Sequence, residues 1–349
     1  MKAFWHSNFI IQLRSWEYWP WYIVYFPVIL YWLWLSFRAR SFFFFSAANP
    51  GMLCGGLFGE SKKKILDLLP KKHVPTTLLF NPKIAMSDLV GELKRNNLHF
   101  PVIAKPDIGE RGVLVEKITD ETALQIYVDA AQYKFQIQEY VKGPYELGIF
   151  YYRYPQSKSG VISSVVIKEM LTVIGDGVSS LQQLIQKNDR AKLQLKSLSS
   201  RMDMTEVLPL NSKKELVSIG NHCRGTTFLN GQSYINEKLV RVFDEIHQQM
   251  SGNFFYGRFD LRCSSLEDLY NGNFKVVELN GAAAEPAHIY HPGFSMIRAY
   301  EILFHHWKTL FTISVENHRL GIPYIPSSLG WKIFRSHFKS DKYSSGQLG

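Results

Sequence analysis

One stretch constrains this chain more than any other: YWPWYIVYFPVILYWLWLSF, residues 18–37, twenty residues without a charge. A helix of that length just crosses a hydrocarbon core of about 30 Å. Pro20 and Pro27 interrupt it, and its many Trp and Tyr residues favour the membrane–water interface. Three conformations suit such a run. It spans a bilayer, it lies in one leaflet as a kinked or re-entrant segment, or it packs as a buried helix on a soluble domain. Length and aromatic content favour membrane association over residues 18–45. The run is too long for a signal peptide, and no clean small-residue cleavage site follows it. ARSFFFFSAANPG (39–51) extends the apolar region and closes on a turn signal, Asn-Pro-Gly. Arg38, Arg40 and Lys62–Lys64 follow the run, whereas Lys2 and Arg14 precede it with Glu17 opposing. That bias places the large C-terminal part on the cytoplasmic face.

The 349 residues and their 46% hydrophobic content suffice for two or three domains. A formal charge of +10 favours anionic partners such as nucleotides or phospholipid headgroups. No nucleic-acid-binding motif accompanies it, so nucleic acid is not an expected partner. Cys54, Cys223 and Cys263 are scattered, without the spacing of a zinc site or a disulfide framework. A reducing compartment suits them.

From about residue 80 the pattern is α+β. Helices are expected over 86–97, 119–131, 179–187, 188–204, 236–250 and 294–313. Strands are expected over 100–105, 112–118, 135–141, 145–154, 160–171, 254–263 and 273–280, with a polar loop at 264–272 and a disordered tail at 340–349. Strands in hairpins mixed with helices argue against a doubly wound parallel sheet.

Several positions carry chemistry. Lys105 ends a strand, and the short loop after it holds Gly109 and Gly112. Such a hairpin can offer backbone N–H groups to phosphates, with Lys105 as a point charge. No Walker loop and no dinucleotide fingerprint occurs. GMLCGGLFGE (51–60) reads as a plain loop. A strand-linking segment at Glu139, Tyr140 and Val141 can hydrogen-bond a base through its backbone. Glu146 after it can accept from ribose hydroxyls; a charged pair on a solvated hairpin is the plain alternative. RFDLR sets Asp260 on a strand between inward-facing Phe259 and Leu261. If 254–263 pairs with 273–280, Asp260 approaches Glu278 and Asn280 of FKVVELNGAAAEP (274–286). Two carboxylates and an amide form a hard oxygen site suited to Mg²⁺ shared with phosphate. Lys275, Arg258 and Arg262 could neutralise the acids instead, as a structural network. Lys168 and Arg224 are candidate phosphate or carboxylate binders, or ordinary surface cations. His288 and His291 read as satisfied loop histidines rather than metal ligands.

In this order the pieces resemble the ATP-grasp superfamily, most nearly carboxylate–amine ligases of the D-alanine–D-alanine ligase and glutathione synthetase kind, over about residues 80–295. The resemblance implies two α+β subdomains clamping ATP. Its nucleotide-binding part would cover about 100–150 and its metal and substrate part about 160–295, within a domain of 81–295. Residues 1–50 would be a membrane-associated segment, 51–80 a linker or the start of the soluble part, and 296–349 a C-terminal helix and flexible tail. It implies Lys105 and Lys168 on phosphates or adenine, Glu139–Val141 at the adenine and Glu146 at the ribose. Asp260, Glu278 and Asn280 would ligate two Mg²⁺, or Mn²⁺ in their place. The glycine loop, with Glu110 and Arg111 inside it, is shorter than the usual ligase loop. The implied activity joins a carboxylate and an amine through an acyl phosphate, with Arg224 holding that intermediate. The alternatives are a membrane-attached ATP-binding module without turnover, or a kinase on the same scaffold.

Overall fold

The structure is a computed structural model describing residues 8–109, 112–217, 220 and 222–345. Helices α1 (Asn8–Arg14), α2 (Trp21–Ala39) and α3 (Lys62–Leu66) come first. Strand β1 (Thr77–Phe80), helix α4 (Met86–Arg95), strands β2 (Val102–Pro106) and β3 (Glu116–Ile118), helix α5 (Glu121–Ala130) and strand β4 (Phe135–Glu139) follow. These four strands form an antiparallel sheet ordered β1-β4-β2-β3. Alternation gives each strand two faces. Val102, Ala104, Phe135 and Ile137 turn towards Leu89, Leu93, Leu124 and Val128 of the two helices, all buried. The residues between them, Lys105, Gln136 and Gln138, point the other way, yet they are buried too. Something must cover that polar face.

The cover is the second sheet. After β5 (Tyr145–Tyr152) and β6 (Val161–Glu169) come the small β7 (Thr172–Ile174), helices α6 (Leu181–Lys187), α7 (Asp189–Leu193) and α8 (Leu195–Ser199), and β8 (Lys213–Glu215). Then follow β9 (Thr227–Asn230), α9 (Glu237–Gln249), β10 (Tyr256–Cys263), α10 (Leu266–Tyr270) and β11 (Lys275–Asn280). The main sheet is ordered β11-β10-β5-β6-β9, all antiparallel. One face, with Leu147, Ile149, Phe259, Leu261 and Val276, packs on Leu239, Phe243 and Ile246 of α9. The opposite face is split along the strands. Its aromatic half, Phe150, Tyr152 and Tyr256, is covered by Phe44, Phe45 and the long helix α11 (Met296–Arg319). Its charged half looks towards the first sheet.

The segment from Leu35 to Leu69 therefore contributes to the second sheet's packing. Met52, Ile65, Leu66 and Leu69 join the α9 core, and Phe44 and Phe45 are fully buried. The buried Asn49 side chain accepts from the backbone N–H of Phe255 and Tyr256 and donates to the carbonyls of Gly55 and Tyr256. Strand β5 lies in the second sheet, so the division between the two halves falls in the 140–144 link, ahead of residue 150.

Other boundaries shift for local reasons. The strand expected from residue 112 starts only at Glu116, because Gly112 and Leu114 adopt positive φ angles of 70° and 56°. The 264–272 loop holds α10, whose start is capped by the Ser265 hydroxyl accepting from the Asp268 N–H. The 188–204 helix is broken into α7 and α8. The tail expected to be disordered is helical to Ser345 in α12 (Ser327–Ser345), whose Gly330 packs on the Phe43 ring.

Candidate active site

The charged half of the second sheet is a product of register. Strands β10 and β11 pair as the sequence pattern requires, and Asp260 stands directly opposite Glu278. Arg262 stands opposite Glu146 of β5, and Asp260 opposite Gly148. With Phe259 and Leu261 facing the core, Arg258, Asp260 and Arg262 must share the cleft face. A Cβ on Gly148 would lie 3.0 Å from Asp260 Oδ1 and 2.7 Å from Val166 Cγ1, so the floor beneath Asp260 admits only glycine.

Asp260 is 2% exposed. Arg258 grips it with two bonds, Nε to Oδ1 at 2.9 Å and a terminal nitrogen to Oδ2 at 3.0 Å. Asn280 donates to Oδ2 at 3.2 Å, and Lys168 Nζ lies 3.3 Å from Oδ1 and 3.5 Å from Glu146 Oε1. Arg262 reaches Glu146 at 3.5 Å. Two carboxylates, Asp260 and Glu146, and three cations, Arg258, Lys168 and Arg262, thus form one buried cluster, where a charge needs its counter-charge. Glu278 stands at its open side: its side chain is 37% exposed and accepts from Lys62 Nζ at 2.9 Å. Lys62 first, and Lys105 beside it, hold its carboxyl well below the usual range.

Lys105 joins the two sheets. Its Nζ donates to Gln138 Oε1 of β4 at 3.1 Å and to the Val277 carbonyl of β11 at 3.0 Å. Burial pushes its pKa down to about 8, partly countered by Glu278. Lys62 is positioned by the same strand. Asp107, just past β2, accepts from the Ser61 hydroxyl, the Lys63 N–H and the Gln136 amide, and its carbonyl accepts from the Lys62 N–H.

The link between the sheets is held from below. Arg262 donates to the carbonyls of Val141 and Gly143. The Tyr140 ring lies between Lys117, 4.3 Å from its centroid, and Arg262, 5.4 Å away. Glu139 pairs with Thr76, its carboxylate accepting that residue's N–H. Gly109 and Gly112 flank the tip of the glycine hairpin; Glu110 and Arg111 lie outside the described residues.

The structure therefore gathers Lys105, Lys168, Glu146, Asp260, Glu278 and Asn280 in one cleft, with Glu139–Val141 at its edge. Arg224 turns elsewhere: it is half-buried, and its guanidinium donates to the Val115 carbonyl beside the glycine hairpin at 3.5 Å. Burial lowers its pKa. Lys275 also faces away, donating to the carbonyls of Lys72 and Val74. Of the cations weighed as neutralisers, Arg258 and Arg262 are the two that reach the acids. Sequence reasoning overlooked Lys62, whose lysine run looked only like a topological charge signal. His288 is buried on the Ser164 hydroxyl at 2.6 Å, and His291 meets the Asn230 N–H at 3.3 Å.

Among the described residues no group of three or more His, Cys, Asp or Glu side chains could hold a metal. A cation here would rest on two acids and an amide. The donors are all oxygen, which suits Mg²⁺. Glu278 is open to the cleft, and the Asn280 amide spends its nitrogen on Asp260, which leaves its oxygen for a cation. Both Asp260 oxygens are engaged, by Arg258, Lys168 and Asn280, so Asp260 joins a cation site only by giving up one of those bonds. The chemistry of the donor set, two carboxylates and an amide oxygen, suits the ion.

Beyond the end of β11 lies a cavity of ≈ 170 Å³, bounded by Tyr25, Leu57, Ala282–Glu285, Leu303 and Trp307. The Glu285 carboxylate accepts from the hydroxyls of Tyr25 and Tyr290, while its carbonyl accepts from Arg258 at 3.3 Å. Arg258 thus links the acid of the cleft to the loop that bounds the cavity.

No protein-family model and no curated protein matches this chain. Solved structures to which it is similar include VanG D-Ala:D-Ser ligase from Enterococcus faecalis, at 14% identity and a TM-score of 0.42 over 73% of this chain and 62% of that one. A bifunctional glutathione synthetase from Pasteurella multocida aligns at 15% identity and a TM-score of 0.34, over 72% of this chain and 38% of that one. D-alanine–D-alanine ligase from Bacillus anthracis aligns at 12% identity and a TM-score of 0.40, over 75% and 68%. The chain thus spans less than two thirds of the first two.

Proposed function

We propose that this chain is an ATP-grasp carboxylate–amine ligase working at the cytoplasmic face of a membrane. The observation that carries the reading is the cleft between the two sheets. It presents a buried lysine from each sheet, a ribose-type acceptor, Glu146, and an acid–acid–amide edge. Binding a nucleotide alone does not require that edge.

The residues have distinct tasks. Lys105 and Lys168 meet the phosphates as positive charges already held in place, so little reorganisation accompanies phosphoryl transfer. Glu139–Val141 receive the adenine along the link, and Glu146 accepts from the ribose. Gly109 and Gly112 let the hairpin close over the phosphates. Asp260, Glu278 and Asn280 would hold Mg²⁺, or Mn²⁺, which neutralises the phosphate oxygens when bound. The substrate carboxylate takes the γ-phosphoryl group from ATP, giving an acyl phosphate and ADP. The amine then displaces phosphate, giving an amide. Arg258 sits between the acid cluster and the Glu285 loop, where the acyl phosphate would form. Arg224, on the glycine-hairpin side, reaches that phosphate when the hairpin closes. The cavity beside Glu285 is the place for the amine, its ammonium on the carboxylate and its substituent among Leu57, Leu303 and Trp307.

The test uses the purified full chain with ATP, Mg²⁺ and a membrane extract, followed by ADP assay and mass spectrometry of products. ADP release requiring both an acid and an amine supports the ligase. A stable phosphorylated product from a single substrate would make it a kinase, and nucleotide binding without turnover across a broad panel would make it a binding module.

A further inference from the structure

Length and hydropathy leave open how α2 meets a membrane, and the packing of the helix bears on that question. We infer that it does not cross the bilayer but lies along it, its outer aromatic face sunk into one anionic leaflet, with the catalytic body on the same side as both of its ends. The inference rests on the membrane reading above and is independent of the ligase chemistry.

Helix α2 is the one described helix long and apolar enough to span a bilayer. Yet it is already committed along one side. Val24, Val28 and Leu35 are buried, and the ring of Tyr31 meets Phe304 edge-on. Near its C-terminal end the Arg38 guanidinium sits over the Phe311 ring. Trp16, just before the helix, donates to the Phe294 carbonyl. Contacts at 16–294, 31–304 and 38–311 mean that α2 and α11 run parallel, side by side, for the full length of α2.

Both ends are fastened to the same body. Ahead of the helix, Glu17 is 8% exposed and accepts two bonds from Arg190, at 2.8 and 3.0 Å, and one contact from His222 at 2.7 Å. Behind it, the chain enters the core at Phe43–Phe45. A spanning helix would carry Glu17 about 30 Å from those partners and strand a carboxylate, an arginine and the buried face of α11.

The face turned outward is not that of a soluble helix. Trp21 is 58% exposed, Phe26 59% and Phe37 83%, with Tyr22, Leu30, Leu33 and Trp34 between them. A helix apolar on its packed side and on its outer side has no water-facing stripe. Charge complementarity selects the partner. Between residues 8 and 59 the only acid is Glu17, whose carboxylate is taken by Arg190, whereas Arg14, Arg38 and Arg40 flank the face. At the start of α12, Trp331 is half-exposed against Phe43, just past the C-terminal end of α2, with the exposed Lys332 next to it in sequence. Aromatic rings with a rim of arginine and lysine match the headgroup boundary of an anionic leaflet.

Three measurements on the full chain test this. In flotation with vesicles of phosphatidylglycerol and phosphatidylcholine, binding is expected to exceed that to pure phosphatidylcholine at least tenfold. Phe26→Glu with Phe37→Glu should lower it at least tenfold while leaving nucleotide binding unchanged. In sealed membrane vesicles from the expressing cells, Gln12→Cys and Lys158→Cys should react together with an impermeant maleimide. Labelling of Gln12→Cys from the side opposite Lys158→Cys would show a spanning helix and overturn the in-plane placement alone. Absence of vesicle binding, with the chain dimeric through this face, would overturn the membrane reading itself.

Discussion

At the residue scale, the acid pair opens two different tests. Asp260 is enclosed by Arg258, Lys168 and Asn280, so neutralising it strands buried cations. Asp260→Asn is expected to destabilise the fold by about 3–5 kcal/mol as well as remove activity. The sequence offers Arg258 as a candidate neutraliser but not its two-bond grip on a buried carboxylate, so on sequence alone Asp260→Asn is expected to leave the fold intact. Glu278 faces the cleft and pairs with one lysine, so Glu278→Gln should change stability by less than about 1 kcal/mol. Mg²⁺-dependent turnover should still fall about 100-fold or more. Thermal melts beside an ADP assay separate the two. Lys105 supplies a pH test. Its free-state pKa of about 8 means that it is charged below pH 8 and loses its proton above. Phosphates favour the charged form, so nucleotide binding takes up a proton at alkaline pH. The Kd should rise about tenfold per pH unit above 8, and titration calorimetry in two buffers reads the proton. Without nucleotide the sign is opposite: between pH 8 and 10.5 the unfolded chain binds the proton more readily, so this lysine's burial penalty fades as pH rises.

At the scale of elements, alternation made most of the cleft legible. The β10 and β11 patterns placed Asp260, Glu278 and Asn280 on one face before any coordinate did. Helix α3 was not legible, because five residues of lysine, isoleucine and leucine carry no distinctive period. What fixes it is a distant aspartate. Asp107 serves the Ser61 hydroxyl, the Lys63 N–H and the Gln136 amide, and thereby aims Lys62 at Glu278. Asp107→Ala would orphan the buried Gln136 amide and loosen α3. Denaturant unfolding should show a loss of about 2–3 kcal/mol, and nucleotide affinity should fall with it. The split of the 188–204 helix at Gln194 was likewise invisible to periodicity; the Asn188 side chain, accepting from the Ala191 N–H, caps only the start of α7.

At the scale of the molecule, the sequence suggested a greasy segment attached to a soluble part, whereas the segment packs against the second sheet and α11. The reason is long range: Asn49 is satisfied by residues 207 positions away, which no local pattern encodes. Global stability has its own pH signature. His288 and His306 are 2% and 3% exposed, and burial lowers their pKa values to about 4 and about 3 from 6.5. Below pH 6.5 the unfolded chain takes up protons that the folded chain refuses, so stability falls from there towards pH 4 and 3. The slope should approach about 1.4 kcal/mol per pH unit for each histidine, read from melts between pH 7 and 4.5. The alignment of α2 with α11 also has a consequence in time. Trp16 waits for a partner 278 residues later. At roughly 5–20 residues per second, the ribosome exposes an uncovered apolar helix for about 14–56 s before α11 can emerge. Whatever first shelters that helix, a chaperone or the bilayer itself, therefore meets the nascent chain long before the cleft between the two sheets exists.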